Sequence, residues 1–356
     1  MSEALERLIR NRISEIGPIS VAEYMSWCLA HPEHGYYMAP GRIGAAGDFT
    51  TAPEISQMFG EMIGLWLAQV WHDHGRPAPF VLAELGPGRG TLMRDILRAA
   101  TALPGFLEAA EIWLVETSTG LRDVQRETLA GHAVHWAERV EVLPDAPLFL
   151  VANEFFDALP IRQYSRTGDF WAERKVRLEA DKSLGFQWAR PVANPDLDRS
   201  FVAAPDGVIV EVNPLGEHVA GWIGKRIAER GGAALFIDYG AWDGTGDTLQ
   251  ALRQHASYDP LDAPGEADVT AHVRFRALAE AARPARAVGT VPQGVFLERL
   301  GITARAQVLA RGLKGEALTN HVAAHRRLTH PEEMGNLFQV LALTGEGAPP
   351  LPGFDE

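Results

Sequence analysis

Short apolar runs recur along these 356 residues, and between them apolar positions repeat at the spacing of a helix. The clearest unit begins with Phe80-Val-Leu-Ala-Glu-Leu85, an apolar run that predicts a strand. Gly86, Gly88 and Gly90 then punctuate a turn, and Leu92, Met93, Ile96 and Leu97 recur at helical spacing beyond it. A second unit runs from Glu111-Ile-Trp-Leu-Val115, a strand ending at Glu116, into a helix from Ser118 to Leu129. A third apolar run, 148–152, reads as a buried parallel strand, and Asn153, Glu154 and Asp157 follow it directly.

Further on, Ile161–Tyr164 and Trp171–Leu178 alternate like hairpin strands around Thr167-Gly-Asp169, and Gly207–Val212 predicts another strand. A helix from about 216 to 230 ends at Gly231-Gly232, and Ala233-Ala-Leu-Phe-Ile then forms a buried strand closing on Asp238 and Tyr239. Arg286–Val291 and Asn336–Leu343 are two more strand candidates. Ahead of the first strand, residues 2–16 carry helical spacing, and Ile19–Leu29 reads as a second helix with Ser20 as N-cap and Glu23 completing a capping box. A Gly-rich polar segment, 41–56, leads into an apolar helix from about Gln57 to His72; loops of that length often carry function.

The alternation predicts an α/β fold, a Rossmann-like sheet with helices on both faces. Residues 1–75 read as an N-terminal helical and lid region. Residues 76–356 read as the sheet domain, with a β-rich insertion at about 161–210.

A strand, a glycine turn and a helix N-terminus together form a nucleotide-type cofactor site, because the glycines admit a ligand close to backbone and the helix N–H groups face it. The dinucleotide fingerprint G-x-G-x-x-G needs glycine at 91, where Thr91 stands; the third glycine is Gly90. G-x-G-x-G preceded by the acidic Glu84 is the pattern of class I S-adenosylmethionine methyltransferases. That cofactor has no pyrophosphate, so a wide phosphate cradle is not needed. Glu84, Gly86, Gly88 and Gly90 are therefore read as cofactor-binding, and Glu116, at the tip of the second strand, as the acceptor for ribose hydroxyls.

Composition narrows the classes. A net charge of −13 argues against a general nucleic-acid binder, which neutralises phosphates with clustered Lys and Arg. A single cysteine, Cys28, leaves no intrachain disulfide and no cysteine-based zinc site. His321 and His325 sit four apart without an evident third ligand, so no metal site is read. No stretch approaches a membrane span, and the chain is expected in a reducing compartment: bacterial cytoplasm, or mitochondrial matrix if the source is eukaryotic.

The segments Gly47–Glu61, Glu84-Leu-Gly-Pro-Gly-Arg-Gly-Thr-Leu92 and Asn153-Glu-Phe-Phe-Asp-Ala-Leu-Pro160 resemble the MidA family of S-adenosylmethionine-dependent protein arginine methyltransferases. The likeness continues, in the family's order, through Ile237-Asp-Tyr-Gly240, Gly246–Leu249, Ala267–Val273 and Met334–Phe338. Arg274 and Gln339 depart from it, standing where the family usually has an acidic residue and a lysine. The resemblance implies methylation of an arginine guanidinium on a protein substrate, a subunit of respiratory NADH–quinone oxidoreductase (complex I), as an assembly step.

For that chemistry acidic side chains are needed to hold the guanidinium in a fork. Glu154 is the first candidate, with Asp157 and Asn153 beside it, although the last two would equally cap the turn after the strand. Asp48 and Glu54 are read as lid residues. Asp238, Tyr239 and His272 are read as substrate-side groups, with an ordinary core role as the alternative for Tyr239. Three other readings compete: a methyltransferase for small metabolites, a non-catalytic assembly factor that binds the cofactor, and an NAD-dependent oxidoreductase, which Thr91 disfavours. Oligomeric state is not legible.

Overall fold

A computed structural model describes residues 2–38, 51–254 and 256–354. Seven strands make the central sheet: β1 (Phe80–Leu85), β2 (Ala110–Val115), β3 (Val134–Ala137), β4 (Leu148–Asn153), β5 (Gly232–Ala241), β6 (Arg286–Pro292) and β7 (Phe338–Thr344). Their order is β3-β2-β1-β4-β5-β7-β6, with the short Val273–Arg274 strand beside the end of β5. The first five run parallel, and β7 runs antiparallel to both β5 and β6. This is the Rossmann-like architecture expected from the sequence, with the switch point between β1 and β4, where ligands of such sheets bind.

Register brings the motif residues together. Leu85 sits opposite both Val115 and Ala152, so Gly86, Glu116 and Asn153 emerge side by side at one edge. Ile237 pairs with Asn153, and the Glu154 N–H donates to the Ile237 carbonyl at 2.8 Å.

Alternate side chains of the strands feed two cores. Leu82, Phe149 and Leu235 pack under helices Gln57–Asp73 and Thr91–Ala100, whereas Val81, Leu150 and Phe236 pack under Pro214–Arg230 and Phe275–Ala281. Gly60 and Gly64 let the first two helices close up: a Cβ on Gly64 would stand 2.8 Å from the Cα of Ile96.

Helices Ser2–Ile16 and Val21–Ala30 bury Leu5, Ile9, Tyr24 and Met25 against Ile161 and Val176 of the insertion and Ala251 and Val269 beyond it. The insertion is a sheet of Arg162–Thr167, Phe170–Leu178, Leu184–Trp188 and Ile209–Val212, to which Ile19–Ser20 adds a short strand. The helix expected from Ile19 therefore begins at Val21. Ser20 is extended and caps it, accepting from the Glu23 N–H at 3.0 Å, while the Glu23 carboxylate is taken by Arg12. The strands at 134–137 and 184–188 and the small sheet at 250–270 were not foreseen. No helix among the described residues is long and apolar enough to cross a membrane.

Candidate active site

The turn after β1 is held by backbone that only glycine adopts without strain: φ is +59° at Gly86, +51° at Gly88 and +79° at Gly90. A Cβ on Gly86 would also meet the Phe155 ring at 2.9 Å. Gly90 caps helix Thr91–Ala100. Thr91 lines the cavity over this turn, and its hydroxyl donates to Glu54 Oε1 at 2.5 Å and pins the segment before helix Gln57–Asp73 onto the turn.

A cavity of about 500 Å³ opens over this edge of the sheet. Glu84, Gly86, Gly88 and Glu116 line one end, and Glu54, Asn153, Glu154 and Asp157 line its floor. Met25, Leu29, Tyr36, Tyr37 and Asp268 also line the cavity, none of which the sequence had flagged as lining a site, apart from Asp268 within a quoted motif. The turn after β3, Glu138–Glu141, also borders the cavity and was missed because β3 itself was.

Four polar atoms in this cavity wall are buried without a protein partner: Glu84 Oε2, Asn153 Oδ1, Glu154 Oε2 and Asp157 Oδ1. The amide oxygen and, when ionised, the three carboxyls are acceptors, so the wall suits a cationic ligand rich in donors. Burial pushes the Glu84 and Glu154 carboxyls up to about 8. Burial, together with the negative charges of Asp238, Asp268 and Glu154, also raises Asp157. Glu154 has a left-handed backbone, φ +51°, unusual for this residue type and of the kind stored at functional sites. Its Oε1 accepts from the Ala52 N–H at 2.9 Å and from Asn153 Nδ2 at 3.0 Å, which leaves Oε2 free for the cavity.

These residues fit S-adenosylmethionine. Glu116 keeps one oxygen on the Ser118 N–H at 2.8 Å and the other on Gln125 Nε2 at 3.2 Å, and its remaining lone pairs suit ribose hydroxyls. The orphaned Glu84 and Asn153 oxygens suit an ammonium group, and the bare backbone at Gly86 and Gly88 admits a ligand closely.

The family model for "Putative S-adenosyl-L-methionine-dependent methyltransferase" matches residues 62–291, from the helix under the sheet to β6. The chain belongs to this methyltransferase family. A zebrafish (Danio rerio) relative, "Protein arginine methyltransferase NDUFAF7, mitochondrial", is 36% identical over 96% of this chain and 87% of its own length. The human protein of the same name is 36% identical over 95% of this chain and 82% of its own. A Burkholderia thailandensis structure, described as a "likely methyl transferase" and solved with S-adenosyl-homocysteine bound, superposes with a TM-score of 0.84. It shares 28% identity over 99% of this chain and 94% of its own. S-Adenosylmethionine is thus the methyltransferase's cofactor, and the oxidoreductase reading is dropped.

Not every residue singled out in the sequence faces the methyltransferase's cavity. Asp238 is wholly buried and lines no part of it. Its Oδ2 accepts the backbone N–H groups of Phe155, Phe156 and Asp157 at 3.1, 2.9 and 3.3 Å, and Oδ1 accepts that of Tyr239 at 3.0 Å. Burial raises its carboxyl against these four donors, which favour the charged form. Asp238 thus sets the shape of the loop that carries Glu154. Tyr239 is a core residue whose hydroxyl bonds Thr270 and Gln250. His272 is exposed and borders a different cavity with Arg274. Arg274 lies over the Phe201 ring at 4.3 Å and Gln339 donates to the Asn336 carbonyl at 2.8 Å, so neither departure touches the cofactor site. Asp48 lies outside the described residues. His321 and His325 reach the Ala306 carbonyl and Thr303 respectively.

Proposed function

We propose that this methyltransferase methylates an arginine guanidinium on a protein substrate, a subunit of a respiratory NADH–quinone oxidoreductase, as a step in its assembly. The observation that carries the reading is the pair of buried, unpartnered carboxylate oxygens, Glu154 Oε2 and Asp157 Oδ1, in one wall of the cofactor cavity. Two carboxyl groups lining one cavity, once ionised, match the fork of a guanidinium. The names of the relatives support the same substrate group. Bacterial cytoplasm, or mitochondrial matrix in a eukaryotic cell, is the compartment that goes with it.

S-Adenosylmethionine, when bound, supplies a methyl group activated by its sulfonium. Glu154 and Asp157 accept N–H bonds from the guanidinium, hold it in one orientation and draw its positive charge toward themselves. The cation in turn favours their ionised forms, which burial alone opposes. The methylated nitrogen loses one proton, and Glu154, once ionised by the substrate cation and with Oε2 unpartnered, is placed to take it. Asp238 keeps the loop in place, and Tyr37 donates to Asp268 Oδ1 at 2.8 Å, fixing that carboxylate in the cavity wall.

The experiment is transfer of isotope-labelled methyl from S-adenosylmethionine to NADH–quinone oxidoreductase subunits isolated from cells lacking this protein. Label recovered as methylarginine in one subunit is expected. Label on another side chain, or none above that of a Glu154→Gln control, would overturn the reading.

A further inference from the structure

We propose that Gln125 is a positioning residue of the cofactor site, holding the glycine turn and the ribose-side carboxylate Glu116 at the spacing the cofactor requires. The inference rests on the cofactor assignment and not on the choice of arginine as acceptor.

Gln125 lies in helix Thr119–Thr128, is wholly buried and does not line the cavity, so it acts through others. Its amide nitrogen donates to the Gly88 carbonyl at 2.8 Å and to Glu116 Oε2 at 3.2 Å. Its amide oxygen accepts from the Trp136 indole N–H at 2.8 Å. One side chain therefore joins the turn after β1, the tip of β2 and the strand β3.

Few other groups fit. The site needs two donors and one acceptor in a single plane, without charge. Lysine or arginine would neutralise Glu116 and compete with ribose hydroxyls for it. A glutamate would keep the Trp136 bond but face the Gly88 carbonyl with another acceptor and Glu116 with like charge. A leucine would fill the volume and leave the Gly88 carbonyl, Glu116 Oε2 and the Trp136 N–H, all at least partly buried, without this partner. Burial pushes the Glu116 carboxyl up, and the bonds from Ser118 and Gln125 draw it back.

The test is calorimetric titration with S-adenosylhomocysteine of the wild type, Gln125→Leu, Gln125→Glu, Glu116→Gln and the Gln125→Leu/Glu116→Gln double variant. We expect Kd to rise about tenfold or more in each Gln125 variant. In the Glu116→Gln background the further loss should shrink to about twofold, because residues in one network are not additive. A Kd within about twofold of wild type in the folded variants overturns the proposal, as do additive losses, since a residue that only stabilises the fold would give one or the other. If Gln125→Leu does not fold, Gln125→Glu, which keeps the volume and the Trp136 bond, carries the test, with the cycle run on it.

Discussion

Glu154 combines a strained backbone, a buried carboxyl and one free oxygen, three costs that a merely structural residue has no reason to accumulate. Each sparsely populated backbone conformation costs about 1–3 kcal/mol, and here the loop tolerates it because Asp238 gathers three successive N–H groups. In Glu154→Gln the amide oxygen can keep the Ala52 bond while the amide nitrogen replaces Oε2. We expect S-adenosylhomocysteine affinity within about twofold of wild type and methyl transfer down by about a hundredfold or more, roughly the scale of a lost general base. Wild-type turnover would move that role elsewhere.

The same substitution has a pH signature. The Glu154 carboxyl sits at about 8 in the fold against 4.5 in an unconstrained chain, so between those values the folded state holds a proton that the unfolded state has released. Stability of the free protein therefore falls as pH rises through that window. The melting temperature of Glu154→Gln should gain on wild type between pH 5 and pH 8; an equal offset at both would refute the raised carboxyl. Glu154 was legible in the sequence because a polar residue at a strand's C-terminal edge is where such sheets bind ligands. Its left-handed backbone was not, because nothing in a glutamate announces that conformation. Asp238 was assigned to the cleft on the same edge rule, but it lies one residue past the last pair with β4, and its carboxylate is taken by the N–H groups of the loop.

At the scale of elements, the glycine unit was readable because strand, turn and helix are local and their chemistry is carried by residues adjacent in the chain. Gly88 is the position to test. Valine is β-branched and ill suited to φ +51°, and the altered turn would disrupt the carbonyl that Gln125 holds. Gly88→Val should retain its circular dichroism and lose S-adenosylhomocysteine binding by about a hundredfold or more, on the footing of several kcal/mol of strain and lost contacts. Undiminished affinity would remove the turn from the site. β3, by contrast, was hidden: Val134-His-Trp-Ala is short, half-buried and polar in part, so it offers no clean period. With it went the turn at Glu138–Glu141. The strand at Ile19–Ser20 was likewise absorbed into a helix, since its two pairings with Val176 and Lys175 are long-range and leave no local mark.

Across the whole molecule, the first two helices do not stand apart. They share one core with the insertion and with the segment around Val269, and the second of them, through Met25 and Leu29, lines the cavity. Ile9, wholly buried in that core, tests the coupling. Ile9→Ala should lower unfolding stability by about 2–5 kcal/mol in urea titration, the usual cost of such a cavity, and should loosen the insertion before the central sheet. Hydrogen exchange that rises first in 162–188, with β1 and β4 still protected, is the expected pattern; uniform exchange would mean one indivisible unit. No periodicity discloses which distant segments share a core, and this is why Met25, Leu29, Tyr36 and Tyr37 escaped the sequence as cavity residues while the glycine turn did not.

The antiparallel strand β7 lies between β5 and β6, although β6 precedes it in the chain. A ribosome delivers β5 long before its neighbour on that side exists, so the nascent chain carries an open, apolar strand edge through much of its synthesis. The sheet that presents Glu154 is complete only after Thr344 has emerged, and until then the β5 edge is the kind of open, apolar strand edge that other chains can pair with.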